Sequence, residues 1–175
     1  GVPKNISRAA LLLYAAAMEG SRPAIAELET MAREETPRTP AVLFGQNLAQ
    51  TNRDAMRKAL AAAKAAVLRQ DDKHICDVYN SRTIVPGSNE MAICYASDKR
   101  LGFLKIDYAA PDKARADAIL GMVENRFGKP TAGEGDNARL WNLGSIIVAT
   151  QYSPENKQMS LMYMAPQVYH HTRGK

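Results

Sequence analysis

Apolar residues recur along this chain at two spacings, and the change from one spacing to the other divides it. Near the N-terminus the spacing is helical. Asn5 or Ser7 can cap a helix that runs through Leu11-Leu12-Leu13-Tyr14 to Met18 and stops at Gly20. Ser21 then caps a second helix, with Pro23 in its first turn and Ile25, Leu28 and Met31-Ala32 on one face. Thr36-Pro37-Arg38-Thr39-Pro40 forbids its continuation and reads as a linker. Beyond it the short apolar segment Ala41 to Leu48 predicts a strand. Thr51, with Asp54 three residues later, predicts a capped helix carrying Met56, Leu60, Ala63 and Val67 on one stripe and Arg53, Arg57 and Lys64 elsewhere.

Period-two patterning follows. His74 to Tyr79 and Met91 to Tyr95 predict the strands of a hairpin that turns within Val85-Pro86-Gly87-Ser88-Asn89. Leu104, Ile106 and Tyr108 alternate with Lys105 and Asp107 as a half-buried strand. Pro111-Asp112 opens a helix with Ala116, Ile119, Leu120, Val123 and Phe127 on its stripe, and Gly128 and Pro130 end it. Arg139 to Leu143, Ser145 to Tyr152 and Met159 to Met164 predict three more strands, the last two joined by a turn at Ser153-Pro154-Glu155-Asn156. Trp141, the single tryptophan, is expected in the core.

The order strand, helix, strand, strand thus occurs twice, in residues 41–98 and 101–165. It predicts an α+β domain, an antiparallel sheet packed against helices. An N-terminal helical segment (1–36) precedes that domain, and a polar tail (166–175), expected to fray, follows it.

Composition narrows the function classes. With 175 residues, 46% hydrophobic and 23% charged, the chain is long and apolar enough for one folded core. Its net charge of +5 is dispersed, without a run of five like charges, so the pattern lacks the basic arm of a nucleic-acid binder. The longest apolar stretch, Ala9 to Met18, falls short of the roughly 20 residues that span a bilayer. It follows Lys4 and Arg8, as a signal peptide's apolar region would. Glu19 and Gly20 follow it without a small-x-small cleavage site, so an amphipathic helix is the expectation.

Cys76 and Cys94 are nearly equidistant from a turn centred near residue 85, and hairpin pairing brings such positions within disulfide reach. A disulfide places the chain in the periplasm or outside the cell; two buried free thiols are the alternative. The hairpin's alternation leaves two orientations. If the small residues and the disulfide face the helix, Tyr79 and Tyr95 are exposed around Asp77, with Ile93 beside them, as a protein-binding patch. If the large residues turn inward, as large apolar groups usually do, the disulfide faces outward. On the first orientation Tyr79, Tyr95, Asp77 and Ile93 are the candidate binding residues.

Catalytic signatures are absent: there is no P-loop, GxGxxG, HExxH or CxxC. Ser145, in Leu143-Gly144-Ser145-Ile146, lacks the second glycine of a nucleophile elbow and reads as turn chemistry. His74, beside Asp71 and Asp72, reads as a loop entering a strand. His170 and His171 are adjacent, so they point to opposite sides and serve one ion poorly. No cofactor and no metal site is expected. Asp71, Asp72, Asp77 and Asp98 gather around the first hairpin, and a small hydrolase with a carboxylate site there is the alternative to a binding protein.

The run Leu104-Lys105-Ile106-Asp107-Tyr108, the helix ending in Arg126-Phe127-Gly128-Lys129-Pro130, then Leu140-Trp141 and a closing apolar hairpin resemble the repeat of small bacterial envelope proteins. These are the β-lactamase-inhibitor-protein-like and SmpA/OmlA-like groups, and the resemblance spans residues 41–165. It implies binding to another protein, or scaffolding in the envelope, and carries over no functional residue. The expectation is therefore a non-catalytic extracytoplasmic protein that binds another protein through its sheet. A weak polyanion binder is the third reading. Oligomeric state and the partner's identity are left open.

Overall fold

The computed structural model describes residues 12–13, 16, 21–33, 40–134, 137–166 and 168. Most of the predicted first helix, residues 36–39 of the linker, and the tail from 169 with His170 and His171 lie outside the described residues.

The second N-terminal helix forms as its pattern predicts: α1 is Arg22–Arg33, and Ser21 Oγ accepts the Ala24 N–H. Residues 41–48 are not one strand but a minimal hairpin, β1 (Val42–Leu43) and β2 (Gln46–Asn47). Its two-residue turn, Phe44-Gly45, holds both residues at positive φ (51° and 73°), the backbone that matches the twist of paired strands. Helix α2 (Arg53–Ala62) starts one residue later than the capping pattern suggests. Asn52, not Thr51, is the cap, its side-chain oxygen accepting the Ala55 N–H at 2.9 Å, while the Thr51 hydroxyl bonds Gln46.

The main sheet has eight antiparallel strands: β3 (Ala66–Arg69), β4 (Cys76–Asn80), β5 (Ser88–Tyr95), β6 (Leu101–Ala109), β7 (Ala132–Glu134), β8 (Ala138–Asn142), β9 (Ile147–Ser153) and β10 (Gln158–Met164). Helix α3 (Lys113–Phe127) separates β6 from β7; Asp112 caps its start and Gly128 its end. The architecture is α+β, as the pattern predicts. The spatial order is β3-β4-β5-β6-β10-β9-β8-β7. Each half is thus a helix followed by a four-stranded meander, α2 with β3–β6 and α3 with β7–β10. The last strands of the two meanders meet at the centre.

This topological repeat falls one strand later than the expected division, because β6 closes the first unit rather than opening the second. The register at the junction places Ile106 opposite Leu161, and Tyr108 and Tyr163 each follow two residues on. The two tyrosines therefore hold equivalent places about a local twofold.

Side chains divide between the two faces. Leu104, Ile106, Tyr108, Trp141, Val148, Tyr152, Met159, Leu161 and Tyr163 pack with Met56 and Leu60 of α2 and Ala116, Ile119 and Val123 of α3. Leu140, Ile147, Ala149, Met162 and Met164 point the other way and pack with Ala24 of α1. The described part of the N-terminal segment therefore packs on the sheet, over its second half. Among the described residues no helix is long and apolar enough to cross a membrane.

Candidate functional site

Cys76 and Cys94 are directly opposite in the β4–β5 register and form a disulfide. Their face carries Val78 and Ala92, while Asp77, Tyr79, Met91, Ile93 and Tyr95 face α2. Large residues went inward, and the reason is visible in the charges.

Arg53 and Arg57 are one helical turn apart on α2, and both reach Asp77 of β4. Arg53 donates to Asp77 Oδ1 from Nη2 at 2.7 Å and to Oδ2 from Nε at 3.4 Å. Arg57 donates to Oδ2 from Nε at 2.8 Å and to Oδ1 from Nη2 at 2.9 Å. Arg53 Nη2 also donates to the carbonyls of Asp71 (2.6 Å) and His74 (2.9 Å), tying the β3–β4 loop to α2. Arg57 Nη1 meets Asp72 at 3.0 Å, and the Arg53 guanidinium lies 5.3 Å from the centre of the Tyr95 ring.

Burial pushes the Asp77 carboxyl up, and the hydrogen bonds and charges of the two guanidiniums outweigh it, holding it below the ordinary 3.8. Burial, with Asp77 nearby, pushes the Tyr79 phenol up to about 12. The same burial raises Tyr95, whose hydroxyl has no hydrogen-bond partner among the described residues.

This arrangement corrects the expected binding patch. Tyr79, Tyr95, Asp77 and Ile93 are 1%, 5%, 0% and 0% exposed and lie between the sheet and α2, where a partner has no access to them. The structure brings all four together, but as core: Tyr79, Ile93 and Tyr95 bury their apolar surface there, and the buried Asp77 is paired by two arginines. The carboxylate cluster is likewise committed. Asp77 is saturated by its arginines. Asp71 accepts from His74 Nδ1 at 2.9 Å, a bond that, with backbone N–H groups, lowers its pKa. Asp98 pairs with Arg100 at 2.7 Å. A carboxylate held ionised in this way is a poor general acid.

A different place on the same face is open. Between α3 and the β1–β2 turn lies a cleft of about 310 Å³, floored by Ile106 and Tyr108 of β6 and Leu161 and Tyr163 of β10. Met122, Arg126 and Phe127 form one wall, and Leu43 and Phe44 another. Ile84, Val85 and Pro86 of the β4–β5 loop form the third.

Each wall is fixed locally. The tight turn aims Phe44. The β4–β5 loop is locked by buried Ser88, whose Oγ donates to the Val85 carbonyl at 2.7 Å and lies 2.6 Å from Ser81 Oγ. Gly87 sits at φ 81°, a backbone conformation that side-chain-bearing residues rarely adopt, with the Arg115 guanidinium over it. The Phe127 ring meets Tyr163 edge-on, with centroids 6.3 Å apart.

Among the thirteen described residues that line it, only Arg126 is charged. Its guanidinium sits over the Phe127 ring at 5.3 Å, and no carboxylate among the described residues pairs with it. Burial raises the pKa of Tyr108 and of Tyr163; the charges of Arg115 and then Arg126 oppose the rise at Tyr108, and that of Arg126 opposes it at Tyr163. Neither phenol has a hydrogen-bond partner among the described residues.

Sequence reasoning passed over this cleft because it is assembled from four separate segments. One local signal was present: Met122 is a large apolar residue off the α3 stripe, and it is half exposed.

No known protein family matches this chain, and no curated protein does. Among solved structures, a DUF4309 family protein (YjgB) from Bacillus subtilis subsp. subtilis str. 168 overlaps 81% of this chain and 95% of its own, with 9% identity and a TM-score of 0.46. Nothing about this chain's role follows from a likeness at that level.

Proposed function

We propose that this chain is a non-catalytic, extracytoplasmic binding module that takes an apolar segment of a partner protein into the cleft between α3 and the β1–β2 turn. One observation carries the reading: a cleft floored by the centre of the sheet has, among the described residues, an aliphatic and aromatic lining with one charged group, Arg126. Apolar pockets with a few convergent polar groups are where ligands bind. On this reading the sheet contributes Ile106, Tyr108, Leu161 and Tyr163 to the contact, and not the hairpin. The Cys76–Cys94 disulfide supports the location, since such bonds persist in oxidising compartments. The clustered carboxylates are occupied by Arg53, Arg57, Arg100 and His74, which favours binding over hydrolysis.

The test compares the native chain with Met122→Glu, a substitution at an exposed cleft wall that leaves the core untouched. Both are immobilised and exposed to a solubilised envelope fraction, and any retained protein is purified and titrated against each by calorimetry. A partner held stoichiometrically by the native chain and lost by the thermally unaltered variant supports the cleft. A partner that binds both equally overturns it.

A further inference from the structure

The donors in the cleft are of one kind. The Arg126 guanidinium offers only N–H groups, and the tyrosine hydroxyls offer O–H groups that no acceptor among the described residues uses. No carboxylate among the described residues lines the cleft. Tyr163 is 1% exposed and lines the cleft floor, where its hydroxyl can donate to an acceptor that enters the cleft.

A neutral apolar segment would leave the Arg126 charge and both phenols unmatched in a drying cleft. A cationic one would be repelled. An apolar group that ends in an anion satisfies both halves of the lining. At about 310 Å³ the cleft is at the small end of ligand pockets, roughly 300–1,000 Å³, which suits a chain end rather than a passing strand.

We infer that the cleft recognises the C-terminus of a partner polypeptide, its last apolar side chain lying on Ile106 and Leu161 and its carboxylate meeting Arg126 with a tyrosine hydroxyl as second donor. This rests on the binding reading above and adds to it the chemistry of the segment bound. A carboxylate with a bidentate arginine gains both charge and geometry, whereas an amide or a mid-chain carbonyl loses the charge. Tyr108 and Tyr163 hold equivalent places about the local twofold, and only the one nearer the bound carboxylate should matter to affinity.

The experiment is a titration of the 15N-labelled chain with acetylated tripeptides ending in Leu, Val or Phe, each as the free acid and as the C-terminal amide. Sodium octanoate is run beside them. The expected result is saturable shifts at Met122, Arg126 and Tyr108 or Tyr163 with at least one free acid, and at least tenfold weaker binding of its amide. Arg126→Gln should weaken the free acid about tenfold and leave the amide unchanged. One of Tyr108→Phe and Tyr163→Phe should weaken the free acid severalfold.

Equal binding of acid and amide, both lost in Met122→Glu, would overturn the carboxylate while leaving the cleft reading intact. Octanoate binding more tightly than every peptide would overturn the polypeptide source. No shift at the cleft with any probe, in a chain whose spectrum shows it folded, would overturn both the inference and the reading on which it rests.

Discussion

Arg53 and Asp77, 24 residues apart in the chain, meet at 2.7 Å where the carboxylate has no exposure to solvent. Arg57 holds the same carboxylate from one turn further along α2. Asp77→Asn removes the charge between two guanidiniums and sets an NH2 donor against one of them in place of an acceptor, so it is expected to destabilise by roughly 3 kcal/mol. Arg53→Met should cost less, about 2 kcal/mol, because Arg57 still neutralises Asp77 and the loss falls on the carbonyls of Asp71 and His74. Urea denaturation of the two variants checks the order. If Arg53→Met proved the more damaging, the loop ties would outweigh the ion pair.

Acid should expose the same interaction. The Asp77 carboxyl titrates below its ordinary 3.8 in the folded chain, so the unfolded chain takes up the proton first as pH falls. The stability it contributes is therefore fully present above about pH 5 and is lost progressively as pH drops below 4, towards the folded value. Asp71, also lowered, acts in the same direction. The urea midpoint should be flat from pH 8 to 5 and fall steeply beneath pH 4. In Asp77→Asn the curve should be lower at neutral pH and shallower in acid. An unchanged slope in that variant would assign the acid sensitivity elsewhere.

What could be read from the sequence was what is local. The β6 alternation and the α3 stripe, with Asp112 and Gly128 at its ends, are set by neighbouring residues, and they came out as expected. So did the pairing of Cys76 with Cys94, which follows from hairpin symmetry about residue 85. β3 was hidden because Ala63, Lys64 and Ala65 favour helix and extend the α2 stripe to Val67. The break comes at Lys64, at φ 58°, a left-handed position normally marked by glycine or asparagine. Phe44 concealed the β1–β2 turn for the same reason. Arg53 and Arg57 could be placed only off the apolar stripe, because their partner lies 20 or more residues on and no spacing rule reaches that far. The cleft depends on the β6–β10 junction, a pairing between strands 50 residues apart that only the folded sheet reveals.

The disulfide closes a loop with a sequence separation of 18 inside a hairpin that is already paired. In the chain-entropy picture a closure of that length stabilises by about 3 kcal/mol through the unfolded state. Both partners lie on the face away from α2, so Cys76→Ser with Cys94→Ser should leave the Arg53–Asp77 contact intact. The expected outcome is a urea midpoint lowered by an amount matching about 3 kcal/mol, with the acid profile of the native chain retained. Loss of the acid dependence as well would show that β4 needs the bond to keep Asp77 in place.

Trp141 joins the end of α3 to the sheet. Its Nε1–H donates to the Gly128 carbonyl at 2.9 Å, and Gly128 is the residue that ends the helix, at φ 82°. The indole is buried beside Val148 on the strand next to it. Trp141→Phe removes the donor and part of the buried volume, and an expected cost of about 2–3 kcal/mol combines an unsatisfied carbonyl with a partly filled cavity. Gly128→Ala forces an ordinary residue into a backbone conformation (φ 82°, ψ −160°) that essentially only glycine adopts, and should cost about 1–3 kcal/mol. Both act on the same helix end, so the double variant should be less unstable than the sum, by more than about 0.5 kcal/mol. Being the single tryptophan, Trp141 also reports the event directly: its emission should shift to the red together with loss of helix on unfolding of the native chain. A red shift that precedes the loss of helix would show that the α3 end opens before the rest of the sheet, and full additivity in the double variant would show that the indole and the cap act independently.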